Sequence, residues 1–264
     1  MKYKNIIYEK KDRVAQITLN RPEKMNAISM QVVSELSTAL VDVADDESIG
    51  ALIITGAGEK AFTSGDDVGP KDREIWHNWT PSQMFTGLRS KHFYELLDAI
   101  RKLRKPVIAA VNGWCLASGL ELALACDIVI ASETAKFGLP FVNIGTVSGT
   151  SLLPRVIGYH QACELLFTGD LVDARRAETI GMVNRVVPPE QLLTSARELA
   201  IRITKQTTEL IGWTKWALNR TMASSFPDAL DYEVLAAAIV HSSRYIPSYV
   251  RREGMVYSKK EKRQ

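Results

Sequence analysis

The chain is poor in the features that assign a function on their own. It has 3 cysteines in 264 residues. Cys115, Cys126 and Cys163 show no CxxC spacing and sit in apolar stretches, which argues against a disulfide framework and reads as reduced core residues. No apolar run is long enough to span a bilayer. The opening segment carries Lys2, Lys4, Glu9, Lys10 and Lys11 and no apolar signal core. The formal net charge of +3 is too small to argue for nucleic acid. The basic stretch Lys259-Lys260-Glu261-Lys262-Arg263 reads as a solvated terminus, although such a cluster can grip phosphates. No His, Cys and Asp grouping has metal-ligand spacing, and GxSxG, GxGxxG and Walker-type loops are absent. These gaps predict a soluble cytoplasmic protein with no metal, no nucleic-acid partner and no membrane partner.

The remainder reads as an ordinary globular protein of 46% hydrophobic and 24% charged residues, long enough for one large domain or a domain with an appendage. Ile6-Ile7-Tyr8 and Val14 to Leu19 predict two strands joined at Lys11-Asp12-Arg13. Val32, Leu36, Leu40 and Val43 recur at helical spacing, and Ala51 to Thr55 is a short β-branched run. Strand, helix and strand in that order mark a parallel sheet with a crossover helix. The pattern returns with a helical stripe from Phe93 to Leu103 ending before Pro106, a strand at Val107 to Val111, a helix from Ser118 to about Cys126 and a strand at Ile128 to Ala131. After Val187 only helices are predicted. This places a boundary near Pro188-Pro189, with an α/β core at 1–188 and a helical region at 189–264 whose exposed apolar residues suit oligomer packing. Val68 to Ser90, with Pro70, Pro81, Trp76 and Trp79, reads as a long loop of the kind that lids a site.

Two segments carry candidate chemistry. In Gly113 to Asp127, small residues open a helix whose first turn holds Glu121 among apolar neighbours. The unpaired N–H groups of a helix start could hold a developing oxyanion there, with the acid moving a proton nearby. Ser118 followed three residues later by Glu121 equally spells a capping box, in which both side chains merely satisfy orphan amides. In Lys60 to Val68, Gly65 lets the backbone approach a ligand closely, but Ser64, Asp66 and Asp67 could equally form an Asx turn or helix cap. Each segment alone leaves both readings open.

Taken together, the segments resemble the crotonase (enoyl-CoA hydratase/isomerase) superfamily. The resemblance rests on Asn20-Arg21-Pro22-Glu23-Lys24-Met25-Asn26-Ala27, Ala61 to Val68, Lys105 to Gly113, Gly119 to Asp127, Phe137-Gly138-Leu139-Pro140, Ala174 to Ala177 and Gly181 to Asn184, in order over nearly the whole chain. It implies an α/β spiral of ββα repeats with a C-terminal helical oligomerisation region, a homotrimer or homohexamer, and an acyl-CoA thioester as substrate. No cofactor is implied beyond that coenzyme A.

The resemblance further implies catalytic positions at Asp66 and Ser118, through their backbone amides, and at Glu121 as acid/base. The implied substrate-binding positions are Lys24, Met25, Ser64, Asp66, Asp67, Val68, Trp114, Gly119 and Phe141. Hydratases of the family use a second glutamate where this chain has Phe141, which cannot transfer a proton. This departure shifts weight toward double-bond isomerisation, hydration of an unusual conjugated or cyclic acyl group, or non-catalytic acyl-CoA binding. Candidate substitutes are Asp66, Glu95, Asp98, His77, His92, His160 and Asn143. Asp66 could reach the pocket and Asn143 could orient a water without donating a proton efficiently, whereas a structural or surface role is the expectation for the others and for Asp67, which matches a family residue near the CoA.

Overall fold

Asp12 and Arg13 both take left-handed backbone, with φ of 53° and 63°, as a two-residue type I′ turn requires. They join β1 (Ile6–Lys11) to β2 (Val14–Leu19) as an antiparallel hairpin. The computed structural model describes residues 3–69, 80, 82–83 and 93–242, so His77, His92, Trp76, Trp79, the basic tail and most of the expected lid lie outside the described residues.

From β2 the chain enters α1 (Met30–Asp45), whose first turn is closed by Ser29 Oγ accepting from the Val32 N–H at 3.3 Å. Its far end is closed by Lys105, which is 6% exposed. Lys105 Nζ donates to the carbonyls of Val43, Ala44 and Asp46 at 2.5, 3.3 and 2.7 Å, a cation placed where the helix dipole favours it.

Next come β3 (Ala51–Gly56), β4 (Ala61–Thr63), α2 (Phe93–Lys102), β5 (Val107–Val111), β6 (Trp114–Leu116), α3 (Ser118–Ala125), β7 (Ile128–Ser132) and β8 (Lys136–Gly138). Strands therefore alternate between two sheets. β3, β5 and β7 join a six-stranded sheet in the order β1-β2-β3-β5-β7-β10, parallel from β2 onward, where β10 is Arg185–Val187. β4, β6 and β8 lie parallel in a four-stranded sheet closed by β9 (Val172–Asp173), which runs antiparallel to β8. Each turn of the chain gives one strand to each sheet, and in the first two turns a helix follows. This is the expected ββα spiral. The short helices α4 (Leu153–Ile157), α5 (Tyr159–Thr168) and α6 (Ala174–Thr179) lead back to β10.

The apolar runs explain why the large sheet is buried on both faces. Leu52 and Ile54 of β3 join the main cluster with Leu36, Phe62 and Leu120, whereas Ala51 and Ile53 face Ala196 and Ala200 of α7 (Leu192–Thr204). Burial of each large aliphatic side chain here is worth about 1.5–3 kcal/mol. The chain divides into two compact units, 1–205 and 206–264. The helix that follows Pro188-Pro189 therefore belongs with the sheet, which it covers.

The second unit contains α8 (Thr208–Thr221) and α9 (Phe226–Ser242). Trp213, Trp216 and Tyr232 stack edge to face there, with ring centroids 5.5 and 5.8 Å apart. A groove of about 800 Å³ runs along Leu210, Trp213, Leu218, Phe226, Leu230 and Val240. No helix of the described residues is long and apolar enough to cross a membrane. Cys115 and Cys126 are buried free thiols, as expected, but Cys163 is only half-buried on α5 and is not a core residue. Its helix packs through few positions, Ala162 being the buried one.

Candidate active site

Two loops meet at the head of α3. The first follows β4. Its backbone is zipped to the segment before α1 by Ser64 N–H to Met25 O at 3.0 Å, Ile28 N–H to Gly65 O at 2.8 Å and Asp67 N–H to Ile28 O at 3.0 Å. Asn26, 1% exposed, holds the base of that segment by donating to the carbonyls of Ala57 and Ala61 at 3.0 and 2.7 Å. The second loop runs from β6 into α3 through Ala117, a non-glycine residue at φ 51°, ψ −127°. That conformation costs about 1–3 kcal/mol and persists only where surrounding structure enforces it.

The two loops touch closely. Gly65, at φ 96°, leaves no room for a side chain, because an added Cβ would lie 2.8 Å from the Ala117 Cβ and 3.0 Å from Leu116 O. Gly119 is similarly pressed on β4, where a Cβ would lie 2.5 Å from Thr63 Cγ2 and 2.8 Å from Thr63 O. Its role in the fold is therefore close helix–strand packing.

Ser118 Oγ donates to Asp66 Oδ2 and ties the loops together. Among the described residues, the N–H groups of Asp66 and Ser118 have no hydrogen-bond partner. Unpartnered main-chain donors are rare unless they serve a ligand or water.

The capping-box reading does not hold. The residue that opens α3 is Ala117, with no side-chain cap; Ser118 reaches across to Asp66 and Glu121 turns elsewhere. Glu121 is 2% exposed. Its Oε1 accepts from Ser148 Oγ at 2.9 Å and from the Gly149 N–H at 3.0 Å. Burial pushes its carboxyl above the usual range, the two hydrogen bonds oppose this, and the negative charge of Asp66 adds to the rise. Ser148 and Gly149 were not anticipated from sequence. They lie in the polar run Gly145-Thr146-Val147-Ser148-Gly149-Thr150, which is recognisable as a loop, but no spacing rule links it to Glu121.

The other predicted positions fall around this centre. Asp67 accepts from Arg21 at 2.6 Å and has Lys24 Nζ at 3.7 Å. The Arg21 bond holds its carboxyl below the ordinary range. Lys24 is largely exposed, and Val68 donates its N–H to Asp66 O at 3.1 Å. Trp114 heads β6 and is 37% exposed, whereas Phe141 is buried in the main apolar cluster. Among the candidate second acids, Glu95 and Asp98 lie on the exposed face of α2 and His160 is exposed on α5. The side chain of Asn143 lies against Gly169. Among the described candidates, Asp66 is the one bonded into the site.

Turns that feed two sheets, with free amides where two of those turns meet a helix start, define a crotonase-fold protein. The family model for enoyl-CoA hydratase/isomerase matches residues 9–264. The chain is 38% identical over 249 residues to the crotonyl-CoA hydratase of Syntrophomonas wolfei, covering 92% of both. It is 38% identical over 236 residues to the short-chain-enoyl-CoA hydratase of Clostridium acetobutylicum, covering 88% of both. The crystal structure of an enoyl-CoA hydratase from Bacillus anthracis superposes with a TM-score of 0.84 at 32% identity, over 91% of this chain and 92% of that one. The chain belongs to the enoyl-CoA hydratase/isomerase family.

Proposed function

We propose that the protein hydrates 2-enoyl-CoA thioesters through an enolate held by the main-chain N–H groups of Asp66 and Ser118, with Glu121 exchanging a proton beside it. The observation that carries this reading is the pair of unpartnered amides on loops fastened together by the Ser118–Asp66 bond, next to a buried carboxylate. A preset donor of this kind is worth about 3–4 kcal/mol to the transition state, and the N-terminus of α3 adds its own positive field. Burial raises the Glu121 carboxyl above the usual range, which supports a role in proton exchange. The names of the relatives support a short enoyl thioester as the substrate class.

In this reading Lys24, Met25, Ser64, Asp67 and Val68 lie along the coenzyme A side, and Trp114, Gly119 and Phe141 along the acyl side. No cofactor acts beyond the coenzyme A carried in by the substrate. The exposed apolar side chains of the second unit, Leu218, Phe226 and Val234 at 60, 77 and 66% exposure, support a homotrimer or homohexamer.

Phe141 favours a second reading, double-bond isomerisation, which one carboxylate can perform by moving a single proton. Incubating a panel of acyl-CoA thioesters in heavy-oxygen water, read by mass spectrometry, separates the two. Label in the product supports hydration, and an unlabelled isomer supports the second reading. Binding without turnover of any unsaturated thioester refutes both and leaves an acyl-CoA-binding role.

A further inference from the structure

Phe141 supplies no acid, so the proton exchange proposed above falls on Glu121, and how that carboxyl is held decides what it can do. We propose that Ser148 is a positioning residue for Glu121, its hydroxyl holding Oε1 so that Oε2 is the oxygen that meets the substrate. This rests on the reading of Glu121 as the acid/base and extends it to a side chain that need not touch the substrate.

The geometry divides the two oxygens. Oε1 accepts from Ser148 Oγ at 2.9 Å and from the Gly149 N–H at 3.0 Å. Oε2 accepts no bond among the described residues. It is not sealed away either, since the fully covered unpartnered side-chain atom among these residues is Asn112 Oδ1. One oxygen is occupied and the other is available. A carboxyl tethered through one oxygen by two donors has little freedom left to turn, the condition for proton transfer at a fixed point.

The tether is itself fixed. Ser148 and Gly149 lie on the turn that leads from Phe141 toward α4. Ahead of them the Thr146 N–H donates to Phe141 O at 3.0 Å, and after them the Leu153 N–H donates to Gly149 O at 3.2 Å. Gly149 stands at φ 77°, where an added Cβ would lie 2.4 Å from Leu139 Cδ1. Phe141 is buried in the main apolar cluster. The residue that supplies no acid therefore anchors the turn that carries the donor.

The same bond bears on charge. Burial pushes the Glu121 carboxyl up, the Ser148 and Gly149 bonds pull it down, and the negative charge of Asp66 on the β4 loop adds to the rise. The elements packed on α3 bring no closer charge. Glu95, Asp98 and Lys102 of α2 and Arg155 of α4 are exposed, Arg101 of α2 is half-buried, and burial keeps the Cys115 thiol of β6 neutral. Removing the Ser148 hydroxyl takes away a donor that favours the ionised form, so the carboxyl then titrates at higher pH.

The test compares wild type, Ser148→Ala, Ser148→Thr, Ser151→Ala and Glu121→Gln in hydration of crotonyl-CoA across pH. The limb of kcat/KM that disappears in Glu121→Gln is the limb that Glu121 sets. In Ser148→Ala that limb is expected to move to higher pH, with KM held. Its kcat is expected to fall about 10–100-fold, the weight of one hydrogen bond to a charged group. Ser148→Thr keeps a hydroxyl and is expected to restore the limb. Ser151→Ala, an exposed serine three residues on, is expected to leave it in place. Carbon-13 NMR of the glutamate carboxyls, with the Glu121 signal assigned by its loss in Glu121→Gln, reads the same upward move without turnover. A limb and a carboxyl signal that stay at the wild-type pH in Ser148→Ala overturn the inference, and so does an equal move in Ser151→Ala. Failure of the underlying reading shows separately, as undiminished turnover in Glu121→Gln, while the carboxyl signal still decides what Ser148 does.

Discussion

Replacing Glu121 by glutamine separates chemistry from stability. The glutamine carbonyl can accept the same two bonds that Oε1 takes from Ser148 Oγ and Gly149 N–H at 2.9 and 3.0 Å. The change removes an ionisable group that is 2% exposed, and side-chain volume is almost unchanged. Folding stability at neutral pH should therefore move by no more than about 1 kcal/mol, the scale of a single hydrogen bond. Turnover should fall about 10²–10⁴-fold, the range for general acid–base catalysis, which is about 2.7–5.5 kcal/mol of barrier.

The pH dependence has a definite sign. Burial raises the Glu121 carboxyl above its unfolded value near 4.5, so its stabilising contribution is full below that pH and is lost as pH rises through the folded value. Wild type should lose stability relative to Glu121→Gln on going from acid to neutral pH. Loss of enoyl-thioester absorbance on crotonyl-CoA gives the rate, and urea titrations at several pH values give the stability. Near-wild-type turnover in a folded Glu121→Gln protein refutes the assignment. Collapse of stability with the same substitution refutes the hydrogen-bond argument.

Gly65→Ala should lower turnover and destabilise by about 1–3 kcal/mol, because it sets a side chain at φ 96° against Ala117; thermal unfolding and steady-state rates check this. Lys105→Met should cost about 2–3 kcal/mol in a denaturant titration, since the carbonyls of Val43, Ala44 and Asp46 lose a charged donor. Asp67→Asn should flatten the acid side of the stability profile. Arg21 holds that carboxyl below its ordinary value, so its stabilisation is present above about pH 3.8 and is lost as pH falls through the folded value.

The large sheet was legible because its strands are continuous apolar runs, as in Val107 to Val111 and Ile128 to Ala131, each long enough to read without context. The strands of the small sheet were not. β4, β6 and β8 are three residues each and β9 is two, too short for any alternation to register. The α3 segment was found, but its ambiguity could not be resolved locally. Ser118 chooses between a cap at Glu121 and a partner 52 residues away, and only the tertiary arrangement decides. Ser148 escaped notice for the same reason. The affiliation of α7 was hidden because its small residues Ala196 and Ala200 advertise a close-packed face without saying whether a helix or a sheet lies against it.

Position 65 and position 117 share the volume of a single methyl group. Ala117 occupies it, and the other residue must go without. Removing the Ala117 methyl would relieve that contact but not the strain that φ 96° imposes on any side chain at position 65. Across lineages, glycine should therefore persist at position 65 whichever small residue stands at position 117, although neither side chain takes part in the chemistry.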